Sequence, residues 1–203
     1  MSEALSRRIE RRSRQRAANR SAILDAARRV AARDGAGELS LRAVAGEAGY
    51  APASVYEYFR NRAELVLALA AEDMGGLARA LRETQTGREG GPGALGAAAK
   101  AALDLMRASG ALPAAVATLE GANAPPEAER LFNGKMIAAL TAFAEAAGRA
   151  PPRTREDQAD VVLAAAAVTG LAVLARAGRL KTLGLDEETL LARLDRRFAA
   201  PLP

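Results

Sequence analysis

The chain has 203 residues and a formal net charge of +5; half of its residues are hydrophobic and only 3% are aromatic. It contains no Cys and no His, which excludes disulfides, thiol nucleophiles, zinc sites built from sulfur and imidazole, and histidine acid–base catalysis. This length suits one large domain or two small ones. We therefore expect no metal site and no cofactor.

The positive charge is concentrated at the N-terminus. Positions 21–203 are neutral, with 22 basic and 22 acidic residues, whereas positions 1–20 carry a net charge of +5. The arginines of this segment are Arg7, Arg8, Arg11, Arg12, Arg14, Arg16 and Arg20. Residues 1–17 are predicted to form a basic, disordered arm. Three roles remain open for it: contact with DNA, a solvated tail, or a membrane-surface segment, for which Leu5 and Ile9 provide no lipid-inserting face.

Alanine, leucine, arginine and glutamate dominate the composition, whereas β-branched and aromatic residues are scarce, so an all-α fold is predicted. Apolar spacing and the positions of Gly and Pro predict nine helices. They span 19–33, 40–49, 52–58, a fourth from 62 that either ends at the glycines 75–76 or continues to 82, then 94–109, 112–121, 126–147, 155–178 and 186–199, with a loop at 84–93. The longest apolar run, Val161–Ala175, is shorter than the ~20 residues of a membrane span. With no secretory signal evident, a cytoplasmic protein is expected.

Three residues between Ser40 and Phe59 have the spacing of a helix-turn-helix: Ala45, Gly49 and Val55. Ala45 is small enough for two helices to cross closely, Gly49 permits the left-handed backbone of a sharp turn, and Val55 anchors the second helix on the first. The outward side of that second helix is then expected to face a DNA major groove. Because these residue types are common, the spacing alone is equally compatible with a plain two-helix hairpin.

The wider segment resembles the N-terminal DNA-binding domain of the TetR family of transcriptional regulators. The resemblance covers about residues 19–68 and rests on the segments 23–27 (Ile-Leu-Asp-Ala-Ala), 44–45, 48–49, 55–59 (Val-Tyr-Glu-Tyr-Phe) and 61–65 (Asn-Arg-Ala-Glu-Leu). Ala51 and Ala53 depart from the family pattern, which usually has a serine cap at the first position and frequently a glycine at the second. The resemblance implies a DNA-binding domain at 18–74 and an effector-binding and dimerisation domain at 75–203.

The resemblance also implies roles for individual residues at the DNA interface. Tyr56 and Tyr58 match positions that contact backbone phosphates, although either ring has a helical spacing that also suits packing on the first helix. Arg62, at the start of the fourth helix, is a further phosphate ligand, as are Ser40 and Arg42 at the start of the second. Base reading falls to the outward side of the third helix: Ala51, Pro52, Ala53, Ser54 and Glu57. For Glu57, solvation is the alternative to accepting from a cytosine amine.

In the second domain, two helices are predicted to form a dimer interface. The 155–178 helix is apolar on nearly all sides and needs cover from several directions, and the last helix has a regular apolar stripe. The predicted interface residues are Val161, Val168, Leu171, Leu190, Leu194 and Phe198. The candidate effector pocket combines polar residues on apolar stretches with two adaptable methionines: Asp104, Met106, Glu120, Met136 and Thr169. Capping or solvent exposure is the alternative for each polar residue.

These features predict a homodimeric, sequence-specific transcriptional regulator whose partners are an operator duplex, a second copy of the chain and a small-molecule effector. Family precedent favours a repressor that leaves a palindromic operator when the effector binds. Two other classes remain open. One is a small helical enzyme that uses carboxylates, although no paired acids beside an apolar pocket stand out. The other is a non-specific nucleic-acid binder driven by the arginine arm.

Overall fold

A computed structural model describes residues 2–85, 93–121, 124–148 and 154–198. Over these residues the chain is all-α, as predicted, with ten α-helices and a 3₁₀ turn at Ala36–Glu38. The helices are α1 (Ser2–Asp34), α2 (Leu41–Ala48), α3 (Pro52–Tyr56), α4 (Arg62–Gln85), α5 (Ala94–Ala108), α6 (Ala111–Glu120), α7 (Pro126–Ala146), α8 (Arg155–Arg176), α9 (Arg179–Thr182) and α10 (Glu187–Phe198). The helix beyond the nine predicted is α9, a four-residue helix too short to show a period in the sequence. Most of the predicted 84–93 loop lies outside the described residues.

The N-terminal segment differs most from the expectation. The sequence predicts a disordered arm over residues 1–17 and a helix from Asn19 onward; instead α1 is one helix over Ser2–Asp34. These 33 residues contain no Gly and no Pro, and Ala, Arg and Glu all favour the helix. The basic residues have no apolar periodicity, and it is this periodicity that identifies a helix in a sequence. The predicted start of the helix is therefore too late.

Packing divides the described residues into two compact units. The N-terminal unit comprises the residues up to Ala70 together with Gly110–Glu129, and the second unit comprises Ala71–Ser109 and the residues from Arg130 onward. The division falls inside α4, near the predicted boundary after residue 74, and it groups α6 with the N-terminal helices. The functional division into 18–74 and 75–203 remains a prediction.

The core of the N-terminal unit lies where α1, α2 and α3 meet. α1 packs on α2, α2 packs on α3, and α6 packs on the 3₁₀ turn. Apolar side chains of this core are fully buried: Ile23, Leu24, Val30, Val44, Val55, Phe59 and Leu65. Burial of a large apolar side chain contributes about 1.5–3 kcal/mol, so these contacts fix how α2 and α3 cross.

In the second unit α5 is the central helix, packed against α8 and α10. Leu95 and Leu103 on α5 are almost fully buried, and so is Val168 on α8. Polar contacts join the same helices, because Arg107 near the end of α5 forms an ion pair with Glu187 at the start of α10. The apolar core and this ion pair together hold α10 against α5.

Candidate nucleic-acid interface

The turn between α2 and α3 is set by a cap at one end of α2 and a glycine at the other. The Ala43 N–H donates to Ser40 Oγ at 3.1 Å, so Ser40 is the N-cap. α2 ends at Gly49, which has φ +72° and is left-handed, a conformation that side chains with a Cβ disfavour. The Tyr50 N–H then donates to the Ala45 carbonyl at 2.9 Å. The local geometry is the one that the sequence predicts for Gly49.

The packing of α3 on α2 buries one side of α3 and exposes the other. Ala45 on α2 and Val55 on α3 are both fully buried, and α2 and α3 contact each other. α3 begins with Pro52 at its first position, and the preceding Ala51 provides no side-chain cap. Ala51 stands where the TetR-family pattern usually has a capping serine. By contrast, Ala51, Pro52, Ala53, Tyr56 and Glu57 are exposed and Ser54 is half-buried. α3 therefore presents a small, mostly apolar outward surface.

The two candidate phosphate-binding tyrosines have different surroundings. Tyr56 is 51% exposed. Tyr58 is half-buried, and its hydroxyl accepts a hydrogen bond of 3.0 Å from Asn19 Nδ2 on α1. The Arg16 guanidinium lies over the Tyr58 ring, 5.5 Å from the centroid, at a distance typical of cation–π contacts. Tyr58 thus packs on the first helix, whereas Tyr56 points its ring to solvent.

Arg62, the predicted phosphate ligand at the start of α4, holds the backbone of the preceding loop. Its Nε donates to the Leu39 carbonyl at 2.9 Å, and its Nη2 donates to the Ala36 carbonyl at 2.9 Å and to the Gly37 carbonyl at 3.3 Å. The sequence pattern does not reveal this use of the guanidinium, because the accepting carbonyls lie more than 20 residues away. Arg62 therefore fixes the start of α4 against the segment before α2.

The N-terminus of α4 is capped by Asn61. Asn61 Oδ1 accepts from the Glu64 N–H at 2.8 Å, and the Glu64 carboxylate accepts from the Arg60 N–H at 2.8 Å. These bonds satisfy donors that a helix start leaves without intrahelical partners. α4 consequently begins at a defined position directly after the helix-turn-helix.

A charged cluster that the sequence pattern does not predict joins α1 to α2. Glu47 accepts from Arg29 Nε at 2.7 Å and from Arg33 Nη1 at 2.8 Å. The hydrogen bonds from Arg29 and, next, from Arg33 hold the pKa of Glu47 below its ordinary value. The carboxylate thus stays ionised and links α2 to two successive turns of α1.

The Glu47 cluster makes the stability of the N-terminal unit depend on pH. Because the folded-state pKa of Glu47 is lowered, its contribution is present above the unfolded pKa of about 4.3 and is lost as pH falls through the lower folded value. We expect Glu47→Gln to be less stable than the wild type at pH 7 and the difference to shrink as pH falls below 4. Thermal unfolding followed by circular dichroism at pH 7 and pH 3 measures this, with exposed Glu57→Gln as the control. An equal difference at both pH values would contradict the assignment.

The structure brings together only part of the predicted effector pocket. Met106 on α5 is half-buried, and Thr169 Oγ1 on α8 lies 4.0 Å from its sulfur. Asp104 instead pairs with Lys100 at 3.1 Å, and Met136 is exposed. Glu120, at the end of α6, belongs to the N-terminal unit. Met106 and Thr169 are therefore the pair that the fold places side by side.

An open groove of about 690 Å³ between α5 and α10 was not among the predicted sites. Lys100, Glu187, Leu191, Asp195 and Arg196 are among the residues that line it. Its polar groups are mostly engaged; for example, the Asp195 carboxylate accepts from the Gly96 N–H at 2.9 Å. Residues almost 100 positions apart form the groove, which is why no local sequence pattern indicates it.

The residues predicted for the dimer interface lie against other helices of the same chain. Val161, Val168 and Leu194 are buried within the chain, while Leu171, Leu190 and Phe198 are half-buried. Between residues 162 and 174 the opposite side of α8 is exposed and apolar; it comprises Val162, Leu163, Ala166, Gly170, Val173 and Leu174. We call these residues the α8 stripe. Because α8 is apolar on nearly all sides, the sequence does not distinguish its two faces.

α8 is also long and apolar enough to cross a membrane, by length and composition alone. Within its most apolar 18 residues, 22% of positions are buried in the described part of the chain. Helices of soluble proteins pass the same test when another surface covers them. The α8 stripe is thus an exposed apolar surface of the second unit.

The buried crossing of α2 and α3, the left-handed Gly49 and the exposed side of α3 define a helix-turn-helix protein. Residues 23–69 match the family model described as bacterial regulatory proteins, tetR family. This segment is therefore similar to the DNA-binding domain of the TetR family, and the resemblance seen in the sequence is confirmed over these residues.

Solved structures share the fold over nearly the whole chain. A TetR transcriptional regulator from Rhodococcus sp. RHA1 is 19% identical with a TM-score of 0.70, over 93% of this chain and 100% of that one. A TetR-family transcriptional regulator from Streptomyces coelicolor is 22% identical with a TM-score of 0.64, over 90% of this chain and 94% of that one. The transcriptional regulator FadR from Bacillus subtilis, solved in complex with stearoyl-CoA, is 17% identical with a TM-score of 0.60, over 90% of this chain and 99% of that one. No curated protein sequence matches the chain. The chain has the fold of a TetR-family transcriptional regulator.

Proposed function

We propose that the protein is a cytoplasmic, sequence-specific DNA-binding regulator that acts as a homodimer on a palindromic operator and is released from it by a small molecule. The observation that carries this proposal is the exposed outward side of α3, presented by a buried α2–α3 crossing. A recognition helix held in this way enters a major groove with its N-terminal residues toward the bases. No catalytic role is proposed for any residue.

The exposure of each residue divides the DNA contacts between bases and phosphates. Small exposed side chains at Ala51, Pro52 and Ala53 suit apolar contact with thymine methyl groups, and Glu57 suits a cytosine amine. Ser54, half-buried on α3, completes this base-reading set. These residues give sequence preference, whereas contacts with the backbone position the protein.

Phosphate contacts fall to exposed groups around α2 and α3. Tyr56 has a free ring on the outward side, and Ser40 and Arg42 are exposed at the start of α2, where the helix N-terminus favours an anion. Tyr58 and Arg62 contribute by holding α1 and the 36–39 backbone in place. Their contribution is therefore to position the groups that touch DNA.

A second copy of the chain is the proposed cover for the α8 stripe. Large residues stand at its two ends, with Val162 and Leu163 at one and Val173 and Leu174 at the other. The small residues in the middle let two helices approach closely, and a Cβ added at Gly170 would meet no atom within 4 Å in this chain. Contact between two α8 stripes about a twofold axis buries the same surface on both copies.

Effector release is proposed to act through α4. This helix starts directly after the helix-turn-helix and continues into the second unit. A ligand that binds in the second unit beside Met106 and Thr169 displaces α4. The distance between the two recognition helices of the dimer then no longer matches the separation of about one DNA turn that the operator requires. FadR of Bacillus subtilis binds stearoyl-CoA, which supports a small-molecule effector in this fold.

Selection from a pool of random duplexes tests the proposal, because the protein itself picks out the operator sequence. We expect the protein to enrich one sequence with twofold symmetry and half-site centres about one helical turn apart, or a multiple of it. Ala53→Glu, on the outward side of α3, should enrich none, because it places a second negative charge against the DNA. Ala32→Glu, equally exposed but on α1, should enrich the wild-type sequence. A pool without any enriched motif would contradict the proposed function.

A further inference from the structure

Four arginines spaced four residues apart form a row along α1: Arg8, Arg12, Arg16 and Arg20. Residues at this spacing lie on adjacent turns of one helix face. The last two are held on the helix-turn-helix. Arg16 lies over the Tyr58 ring and donates to the Glu57 carbonyl at 3.3 Å, and Arg20 lies 5.0 Å from the centroid of the Phe59 ring. The C-terminal half of the arginine row, Arg16 and Arg20, thus lies beside the end of α3.

The N-terminal half of the arginine row, Arg8 and Arg12, carries positive charges that no nearby carboxylate of the described residues neutralises. Arg8 and Arg12 are exposed and form no ion pair with any side chain that the structure describes. The neighbouring carboxylate of Glu10 pairs with Arg14 at 3.8 Å. Like charges four residues apart destabilise a helix, so a polyanion along this face relieves the repulsion.

We propose that Arg8 and Arg12 bind backbone phosphates of the same DNA duplex that α3 reads. The proposal rests on the function proposed above. α1 is continuous and rises about 1.5 Å per residue, so Arg8 stands about 12 Å along the axis beyond Arg16. The row therefore extends the basic surface past the helix-turn-helix to phosphates that α2 and α3 do not contact.

Duplex DNA fits this surface better than a membrane does. The exposed apolar side chains described on the extension are Leu5 and Ile9, and two such residues are too few for a helix that inserts an apolar face into lipid. Contact with phosphates needs only the charge. Because each contact releases counterions, it also makes binding depend on salt in a measurable way.

The test is the salt dependence of binding to a 40-bp random-sequence duplex, measured with the full chain. We expect the slope of log K against log salt to become shallower by about 0.9 for each phosphate that is no longer neutralised, so by about 1.8 per protomer for Arg8→Gln/Arg12→Gln. The matched control is Arg193→Gln/Arg197→Gln, which removes two exposed arginines four residues apart from α10. Its slope should equal that of the wild type. Far-ultraviolet circular dichroism checks that α1 stays helical in both variants.

The inference is overturned if the slope of log K against log salt for Arg8→Gln/Arg12→Gln equals that of the wild type. It is equally overturned if the slope becomes shallower by the same amount in both double variants. It is also overturned if the slope on DNA is unchanged while binding to phosphatidylglycerol vesicles disappears. Because the duplex has a random sequence, failure of the proposed function has a separate signature. Suppose that the wild type enriches no sequence from a pool of random duplexes, while its salt slope still depends on Arg8 and Arg12. This result would support the phosphate contacts and contradict the proposed function as a sequence-specific regulator.

Discussion

Phe59→Ala is expected to destabilise the N-terminal unit by about 3–5 kcal/mol, the usual cost of removing a buried phenylalanine. Phe59 is fully buried, and the Arg20 guanidinium lies over its ring. Because native domains are stable by only about 5–15 kcal/mol, this loss removes a large part of the stability of the helix-turn-helix. Urea denaturation followed by circular dichroism measures the change, and DNA binding should disappear with it.

The matched control for this prediction is Tyr56→Ala, three residues earlier. Its ring is 51% exposed, and surface substitutions usually change stability by less than about 0.5 kcal/mol. The two variants therefore separate folding from recognition, since both should weaken DNA binding but only Phe59→Ala should reduce stability. A Phe59→Ala protein with wild-type unfolding would contradict the packing described for α1 and α3.

Leu163→Glu is expected to convert the proposed homodimer into monomers. Leu163 is 57% exposed in the single chain, so the substitution leaves the core of the second unit intact. In a twofold dimer it buries an unpaired carboxylate on each copy, and one such charge costs about 3 kcal/mol or more. The dissociation constant of the dimer should rise by at least about 100-fold. Sedimentation velocity across a concentration series measures it.

Two further variants sharpen the test of the α8 stripe. Leu183→Glu alters a side chain that is 62% exposed but lies outside α8, and it should remain a dimer. Gly170→Leu meets no neighbouring atom at its Cβ within the chain, so it should fold normally yet hold two α8 helices apart. If Leu163→Glu sediments as the wild type does, the stripe is not the dimer interface.

The helix-turn-helix could be predicted from the sequence because its geometry permits few residue types. A left-handed turn needs Gly49, a close helix crossing needs a residue as small as Ala45, and the second helix needs a buried anchor such as Val55. All three occupy the predicted positions. Requirements of this kind act over a few neighbouring residues, and so they are visible in the sequence.

Features that depend on distant residues could not be predicted in the same way. The bonds of Arg62 to the 36–39 carbonyls connect separate loops, and the partners of Glu47 lie on another helix. In α8 an apolar residue on either face looks the same in the sequence, so the pattern does not indicate which face packs within the chain and which is free. The N-terminal half of α1 could not be predicted as a helix because its arginines give no apolar periodicity.

The measurement that tests the central claim most directly is the affinity of the protein for the DNA flanking its own gene. It should be made with excess competitor DNA, across a salt series, for the wild type and for Tyr56→Ala. The account predicts a dissociation constant of about 10⁻⁸ to 10⁻¹¹ M for the wild type and binding weakened about 10- to 100-fold by Tyr56→Ala at unchanged stability. Weak binding to any DNA, indifferent to Tyr56 and abolished at modest salt, would contradict the assignment of a sequence-specific regulator that reads DNA through α3.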